Sequence, residues 1–215
     1  MNDLIIFGAS GFGREVTWLV ERINAVEPTW NLIGFIDDNE EIQGAVINRY
    51  KVIGKTCDID KFPDAFFVCA VGNSKERKKI IENMKEVNPD VRFGTLLDPS
   101  VKVSDHVEIG VGTIICAQTV LTVNISIGDH VIINLNCTIG HDADISDYAT
   151  IYPGVNVSGA TSIGHAAELG TGMQIIQGKR IGEYSIVGAG AVVVDDIPEK
   201  CTAVGNPANV IKHFE

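Results

Sequence analysis

The sequence has little positive charge and no long apolar run. Its 215 residues include 17 Lys and Arg against 28 Asp and Glu, which gives a formal net charge of −11. Because the acidic residues are spread along the chain and no basic face is long, we expect no nucleic-acid partner. No window approaches the roughly 18 uninterrupted apolar residues that suggest a transmembrane helix, so we expect no membrane span.

The cysteines lack the arrangement that is typical of secreted proteins. The five are scattered along the chain and form no Cys-x-x-Cys pair, which predicts reduced thiols in a cytoplasmic protein. Met1-Asn2-Asp3 leads directly into an apolar stretch without a preceding basic region. We therefore expect no signal peptide.

A repeat of six residues organises the chain between Leu97 and Pro198. An aliphatic residue opens each of 17 consecutive hexads, and glycine is second in seven of them. This period predicts a parallel β-helix in which three hexads close one triangular coil. The aliphatic residues should point inward, and the seven glycines should supply the unusual backbone angles of the corners. Those glycines are Gly110, Gly128, Gly140, Gly164, Gly170, Gly182 and Gly188.

Residues 1–93 show a different pattern, that of a small α/β domain with a parallel sheet. An apolar strand at 4–7 leads into a glycine-rich turn at 8–13 and then into a helical pattern. The turn is spaced G-x-x-G-x-G, which fits either a nucleotide site at the helix start or only a tight turn. Asp37 and Asp38 end the second strand, where an acid commonly meets a ribose hydroxyl, although a solvated turn fits nearly as well.

A second helix is predicted from Lys75 to about Val87, with Asn73 as its N-cap. Its first turns carry four basic residues, which indicate either a phosphate contact or a solvated face; they are Lys75, Arg77, Lys78 and Lys79. The patterns together divide the chain into a Rossmann-like domain at 1–93, a β-helix at 97–198 and an extended or helical C-terminal tail at 199–215.

A coil of three hexads places residues that are distant in the sequence in columns. Pro153, Thr171 and Ala189 stack on one corner of the prism, and a second corner carries a column made of His141, Gly159 and Gln177. Two corners of one prism can meet only across a subunit interface. A site that uses both columns therefore requires an oligomer.

His141 is the preferred candidate for a general base among the five histidines, because imidazole titrates near neutral pH and Asp142 lies next to it. His106 and His130 are predicted at solvent-facing corners, and His165 is interpreted as structural. A zinc enzyme of the prism type would need three histidines gathered across an interface, and the corners of His130, His141 and His165 do not suggest that arrangement.

Three motifs together resemble one bacterial family of hexapeptide-repeat acetyltransferases. They are Gly-Ala-Ser-Gly at 8–11, Gly-His-Asp at 140–142 and Val-Gly-Asn-Pro-Ala at 204–208, combined with the unbroken hexads. The family contains sialic acid O-acetyltransferases and nucleotide-4-aminosugar N-acetyltransferases. The resemblance implies a left-handed β-helix, a homotrimer, acetyl-CoA as co-substrate and no metal.

The resemblance also implies roles for individual residues. His141 matches the catalytic base, Asp142 its acidic neighbour, and Asn134 an asparagine near the acceptor group. Three further positions match residues that line the coenzyme or face its thioester, and six match residues that hold the nucleotide of the sugar. The former are Gly159, Thr171 and Ala189; the latter are Ser10, Gly11, Phe12, Asp37, Asp38 and Gly72. Thr150 stands where some relatives carry a second histidine, and it is kept as a coenzyme-site candidate.

The leading interpretation is an acetyl-CoA-dependent N-acetyltransferase that acts on the amine of a nucleotide-linked 4-amino sugar in surface-glycan biosynthesis. The alternative enzyme is an O-acetyltransferase of sialic acid or a related sugar. A nucleotide-sugar-binding trimer without catalysis is the third possibility. Residues 1–93 cannot separate the two enzymes by sequence.

Overall fold

The N-terminal half is a twisted sheet with one helix on each face. In the computed structural model, which describes residues 1–214, the six strands have the order β3-β4-β2-β1-β5-β6, and all pairs except β3 and β4 are parallel. The elements are β1 (Asn2–Phe7), α1 (Gly11–Val26), β2 (Trp30–Ile36), β3 (Val46–Ile47), β4 (Tyr50–Gly54), β5 (Phe66–Cys69), α2 (Ser74–Val87) and β6 (Arg92–Phe93), with 3-10 turns at Glu40–Ile42 and Thr56–Lys61.

Alternation along β1 explains the two-layer packing. Leu4 and Ile6 pack in the cluster on the α1 side, whereas Ile5 and Phe7 pack in the cluster on the α2 side. All four side chains are buried. Since successive residues of a strand point to opposite faces, a continuous apolar run is what a strand covered on both faces requires.

The C-terminal half is a triangular prism in which each of the 17 hexads forms one short strand. Its three faces are sheets of parallel strands, and each strand pairs with its equivalent in the next coil. Face A consists of Leu96–Leu97, Ile114–Ile115, Ile132–Ile133, Thr150–Ile151, Glu168–Leu169 and Ile186–Val187; face B of Lys102–Val103, Val120–Leu121, Thr138–Ile139, Asn156–Val157, Gln174–Ile175 and Val192–Val193; face C of Val107–Ile109, Ile125–Ile127, Asp144–Ile145, Ser162–Ile163 and Arg180–Ile181. The corners between them are named AB, BC and CA.

The corner glycines serve close packing rather than unusual backbone angles, which corrects the expectation from sequence. A Cβ on Gly140 would lie 2.6 Å from the nitrogen of Gly159 in the next coil, and a Cβ on Gly164 would lie 2.6 Å from the nitrogen of Glu183. The positive φ angles fall two residues later in the hexad, at positions such as Asn124. Asn, Asp, His and even Tyr occupy these left-handed positions, so a sequence pattern of glycines does not mark them.

Face A carries the front domain, and the outward positions of its first three strands are apolar. Leu96, Ile114 and Ile132 point away from the prism interior and share one buried cluster with Val16 and Leu19 of α1. Outward positions on faces B and C are mostly polar. Burying this apolar strip supplies the hydrophobic part of the contact between the two halves.

Polar contacts reinforce that junction. Arg22 of α1 reaches Asp98 at corner AB, with Nε 2.5 Å from Oδ2 and Nη2 3.0 Å from Oδ1. Ser74 at the start of α2 donates its backbone N–H to Oε1 of Glu168 on face A at 2.8 Å. Both carboxylates are nearly buried, so each contact depends on the two halves being docked.

The segment after Pro198 continues face A. Cys201–Val204 pairs in parallel with Ile186–Val187, and Asn209–His213 returns antiparallel along it. The tail is thus extended and closes the end of the prism. Lys179, whose hexad position is otherwise inward, lies near this end with its Nζ 3.7 Å from Oδ1 of Asp195. No helix among residues 1–214 is long and apolar enough to cross a membrane.

Candidate active site

His141 stands on the open corner BC, directly after the face B strand Thr138–Ile139. Its side chain is 50% exposed, and its Nδ1 lies 2.7 Å from Oδ2 of Asp142. Contacts with His141 and then with Asn124 lower the pKa of the Asp142 carboxyl. Because that carboxylate is ionised at neutral pH, it accepts the hydrogen bond. In the neutral imidazole, the proton of His141 therefore lies on Nδ1, and Nε2 has a free lone pair.

Gly159, one coil further along the column, sets the space for this imidazole. A Cβ at position 159 would lie 2.5 Å from Nε2 and 2.6 Å from Cε1 of His141. The ring therefore lies over the Gly159 backbone, and any side chain there would displace it. The structure thus brings together two of the residues predicted for the site, while Gln177, one coil further along the same column, is exposed.

Corner AB presents a smooth strip beside the second predicted column. Thr171 and Ala189 are exposed and Pro153 is half-buried. Each precedes a glycine with positive φ, and a Cβ at Gly172 or Gly190 would meet nothing within 4 Å. A row without side chains on an exposed corner leaves room for an extended ligand. Face B separates this strip from corner BC within one chain.

Asp37 and Asp38, which follow β2, make hydrogen bonds within the front domain. Asp37 accepts the backbone N–H of Ala9 on Oδ2 at 2.9 Å. Asp38 accepts the backbone N–H and the hydroxyl of Thr56, both at 2.8 Å. These contacts show a structural function for both carboxylates, whether or not a ribose also contacts them.

The start of α1 has no charged or side-chain cap. Ser10 is the N-cap residue but makes no side-chain cap hydrogen bond, and the first turn contains no acidic residue. Ser10 and Gly11 are exposed and Phe12 is half-buried. At Gly13 a Cβ would lie 1.9 Å from the oxygen of Gly8, so the close approach of turn and helix requires glycine. Uncapped amides at a helix start favour an anion.

Gly72 lies over face A, against the coil that follows the coil of Asn134. The Gly72 carbonyl accepts the Thr150 hydroxyl at 2.7 Å, and a Cβ at Gly72 would be 3.8 Å from the Tyr152 hydroxyl. Tyr152 occupies the position equivalent to Asn134 in the next coil. Asn134 is 9% exposed and accepts the N–H of Leu135 on Oδ1 at 2.7 Å. The loop at the end of β5 therefore meets the Asn134 column through Tyr152, a residue that the sequence patterns did not single out.

Thr150 does not fit the prediction that it lines the coenzyme site. It is 1% exposed, and its hydroxyl lies between the Gly72 carbonyl and Nη2 of Arg77, 2.9 Å from the latter. Because the side chain is enclosed at the junction of the two halves, it cannot contact a ligand at the prism surface. Its role is to link the loop at Gly72 to face A.

Arg77 in the first turns of α2 fits neither expectation for the basic residues, because it is buried among protein acceptors and faces neither phosphate nor solvent. Arg77 is 1% exposed and donates mainly to carbonyl oxygens, including those of His130 and Tyr148. Burial lowers the pKa of Arg77 to about 10. Lys78 donates to the Tyr184 hydroxyl at 2.8 Å, and Glu168 already occupies the positive N-terminus of α2.

His130 was expected at a solvent-facing corner, and the structure shows it to be buried. The side chain is 2% exposed because Phe93 packs edge-on against it at 4.6 Å and Tyr148 stacks at 5.3 Å between ring centroids. Burial, followed by the charges of Lys85 and Arg77, lowers the pKa of His130 to about 4. This residue is held neutral and cannot be reached by a substrate.

His165 lies on the same corner CA, between the rings of Tyr148 and Tyr184 at centroid distances of 5.3 and 5.4 Å. Its surroundings favour the structural interpretation. Among residues 1–214, no three His, Cys, Asp or Glu side chains lie close enough to hold a metal ion.

Known proteins share both halves of this architecture. The PglD N-terminal domain family matches residues 3–84. The acetyltransferase domain of PglB from Neisseria gonorrhoeae FA1090 is 32% identical, covers 98% of this chain and 100% of its own, and superposes with a TM-score of 0.87. Its structure is also known in complex with acetyl coenzyme A. WeeI from Acinetobacter baumannii AYE is 32% identical over 97% of this chain and 99% of its own, with a TM-score of 0.84.

PerB from Caulobacter crescentus is 26% identical over 99% of this chain and 98% of its own, with a TM-score of 0.86, and its structure contains CoA and GDP-perosamine. Variants of the perosamine N-acetyltransferase from the same organism with one histidine replaced also bind CoA and GDP-perosamine. Among curated proteins, a 38-residue segment is 55% identical to a provisionally named acetyltransferase of Schizosaccharomyces pombe, and the match spans 18% of each chain.

The prism, the front domain and the exposed histidine define the class of hexapeptide-repeat acetyltransferases. The chain belongs to the family of these enzymes that contains the PglB acetyltransferase domain, WeeI and PerB. Membership confirms the predicted family, the fold of a Rossmann-like domain followed by a left-handed β-helix, and the acetyltransferase activity.

Proposed function

We propose that this chain transfers the acetyl group of acetyl-CoA to the amine of a nucleotide-linked 4-amino sugar. The observation that carries the proposal is the His141–Asp142 pair at 2.7 Å on an open corner. Relatives that cover nearly the whole chain have been seen with acetyl coenzyme A, or with CoA and GDP-perosamine. A 4-amino sugar joined to a nucleoside diphosphate is therefore the acceptor class that best fits.

His141 is proposed as the general base. The neutral amine attacks the thioester carbonyl, and the new C–N bond forms as the amine proton passes to Nε2 of His141. The C–S bond then breaks, and the thiolate of CoA takes that proton from Nε2 of His141 as it leaves, which returns the imidazole to its neutral form. Asp142 holds Nδ1–H and so keeps Nε2 available, which is the function of an acid beside a catalytic histidine. The backbone amide of Gly159 is proposed to face the thioester oxygen.

The front domain is proposed to hold the nucleotide. The uncapped start of α1 at Ser10, Gly11 and Phe12 offers backbone amides to the diphosphate. Asp37 and Asp38 lie at the end of β2, next to this turn, and keep free lone pairs for a ribose hydroxyl. The sugar would then extend from this turn toward Gly72 and Asn134, which are proposed to flank the acceptor amine.

The coenzyme is proposed to lie along corner AB, over Thr171 and Ala189. This corner and corner BC are on opposite sides of face B, so one chain cannot place both beside the same ligand. Three copies with face B toward a common axis bring corner AB of one subunit beside corner BC of the next. We therefore propose a homotrimer with sites between subunits.

We propose that the three parts of the chain have separate functions. Residues 1–93 bind the nucleotide sugar, residues 97–198 carry out acetyl transfer, and residues 199–215 close the prism. The five cysteines are free, and we propose a cytoplasmic enzyme that serves surface-glycan biosynthesis.

A substrate panel tests the proposal. Release of CoA from acetyl-CoA would be measured with UDP-, dTDP- and GDP-linked 4-amino sugars and with free sialic acid. We expect saturable turnover with at least one of the nucleotide-linked amino sugars, and an amide product by mass spectrometry. Turnover of sialic acid alone, giving an ester, would contradict the proposed acceptor.

A further inference from the structure

We propose that Asn124 is a positioning residue for the catalytic histidine, acting through Asp142. This inference rests on the proposed role of His141 as base. Asn124 lies one coil before Asp142 on corner BC, and its Nδ2 donates to Oδ1 of Asp142 at 3.2 Å. The other carboxylate oxygen, Oδ2, contacts Nδ1 of His141 at 2.7 Å. The three side chains form one chain from amide to carboxylate to imidazole.

The hydrogen bond from Asn124 matters because the Asp142 carboxylate is otherwise weakly restrained. Its side chain is 54% exposed, and rotation of a carboxylate about its last bond has no sharp preferred angle. A donor on Oδ1 limits that rotation and leaves Oδ2 directed at the imidazole. Asp142 then holds the Nδ1–H form of His141, in which Nε2 is the free acceptor.

The backbone of corner BC supports this arrangement. Asn124 and Asp142 both have left-handed backbones, with φ values of +54° and +58°, so their side chains leave equivalent points of successive coils. The next two positions of the column are Ala160 and Gly178, which have no hydrogen-bonding side chain. Within this column, Asn124 in the preceding coil is therefore the residue that supplies a side-chain amide to Asp142.

Asparagine also favours left-handed backbone by itself, so the test must separate the side-chain contact from the backbone preference. Asn124→Gly removes the amide and keeps a residue that adopts positive φ without strain. Asn124→Asp keeps the shape but replaces the donor with a second negative charge beside Asp142. Asn48→Gly is the matched control, because Asn48 is also left-handed, with φ +45°, but lies in the front domain.

The first readout is the tautomer of His141, measured by nitrogen chemical shifts in the full-length protein with labelled histidine. We expect the Nδ1–H form to dominate in the wild type and in Asn48→Gly, and the two forms to mix in Asn124→Gly. An unchanged tautomer in Asn124→Gly would overturn the proposal, whatever its effect on rate.

The second readout is the pH profile of acetyl transfer. Asn124→Gly should lower kcat about two- to tenfold, the range expected for one hydrogen bond, with KM for acetyl-CoA unchanged. Asn124→Asp should shift the rise of kcat to higher pH, because an added negative charge favours the imidazolium. Profiles of the wild-type shape in both variants would overturn the proposal. If His141→Ala stayed active, the proposed role of His141 as base would fall, while the tautomer of His141 in Asn124→Gly would still decide whether Asn124 positions the imidazole.

Discussion

His130 and His141 occupy two corners of one prism and have opposite surroundings. His130 on corner CA is 2% exposed, without a hydrogen bond on Nδ1, and burial lowers its pKa to about 4. His141 on corner BC is 50% exposed and paired with Asp142. His130 occupies the fourth position of its hexad, with a φ of +55°, and His141 occupies the third position of its own hexad. The repeat provides both positions on every corner, so it does not assign the chemistry of either histidine. The residues packed around each histidine do.

The difference shows how a regular scaffold can bury one histidine and leave another exposed. The front domain docks on face A and covers corner CA with Phe93 and Arg77. Corner BC is left open on the far side of the prism. Of these two histidines, His141 is therefore the one that a substrate can reach, and it has a carboxylate beside it.

The largest expected effect is on the rate when His141 is removed. His141→Ala should lower kcat about 10²- to 10⁴-fold, because general-base catalysis contributes about that much. The melting temperature and the mass of the oligomer should match those of the wild type, since the side chain is half-exposed. Full kcat on a confirmed substrate would mean that the base is elsewhere.

The second-largest expected effect is on the stability of the protein, and it comes from the buried His130. Between about pH 6.5 and pH 4, unfolded His130 takes up a proton and folded His130 does not, because burial and the charges of Lys85 and Arg77 outweigh the opposing effect of Asp147. Stability should therefore be unaffected by His130 above this range and fall as the pH drops through it, by up to about 3 kcal/mol.

Urea unfolding of the wild type and of His130→Asn at pH 7 and pH 4.5 isolates this contribution, because asparagine tolerates the left-handed backbone and does not titrate. The variant should lose less stability on acidification than the wild type. Equal losses would show that His130 is protonated in the folded protein.

A smaller effect is expected at the partner of His141. Asp142→Asn keeps the shape but removes the charge that stabilises the imidazolium and fixes the tautomer, so kcat should fall about tenfold, less than in His141→Ala. KM for acetyl-CoA is the internal control and should hardly change. A loss as large as that of His141→Ala would give Asp142 a direct part in the chemistry.

The smallest effect is expected at His165, on the covered corner. His165→Ala should leave kcat within about twofold and cost about 1 kcal/mol of stability, from lost packing between Tyr148 and Tyr184. Steady-state kinetics and melting on the same preparation decide this. A rate loss near that of His141→Ala would contradict the contrast between the two corners.

The sequence was sufficient for local and periodic features. The hexads predicted all the prism strands, because an aliphatic residue every six positions can be buried only in that way. The N-cap at Asn73 was also predicted, and its side chain accepts the N–H of Glu76. The prediction for the second-position glycines was wrong, because glycine is favoured both by a close approach between coils and by a positive φ. The sequence pattern does not distinguish these two causes.

Contacts between the front domain and the prism could not be predicted from local sequence patterns. Burial of His130, Arg77 and Thr150 depends on which face carries the front domain. One signal for that face was present, since Leu96 and Ile114 are apolar at outward positions that are polar elsewhere. The Asn124–Asp142 contact also follows from the period of one coil, but only once the left-handed corner positions are known.

Complementation between two inactive variants tests most directly whether one site uses two corners. His141→Ala damages corner BC, and Ala189→Trp fills the exposed strip on corner AB. Hybrid trimers carrying both variants would be isolated through two different affinity tags. If each site lies between subunits, every hybrid has one intact site of three, so acetyl transfer should recover to about one third of the wild-type rate. Activity no higher than that of the parent variants, in hybrids of confirmed trimer mass, would contradict a site shared between two corners.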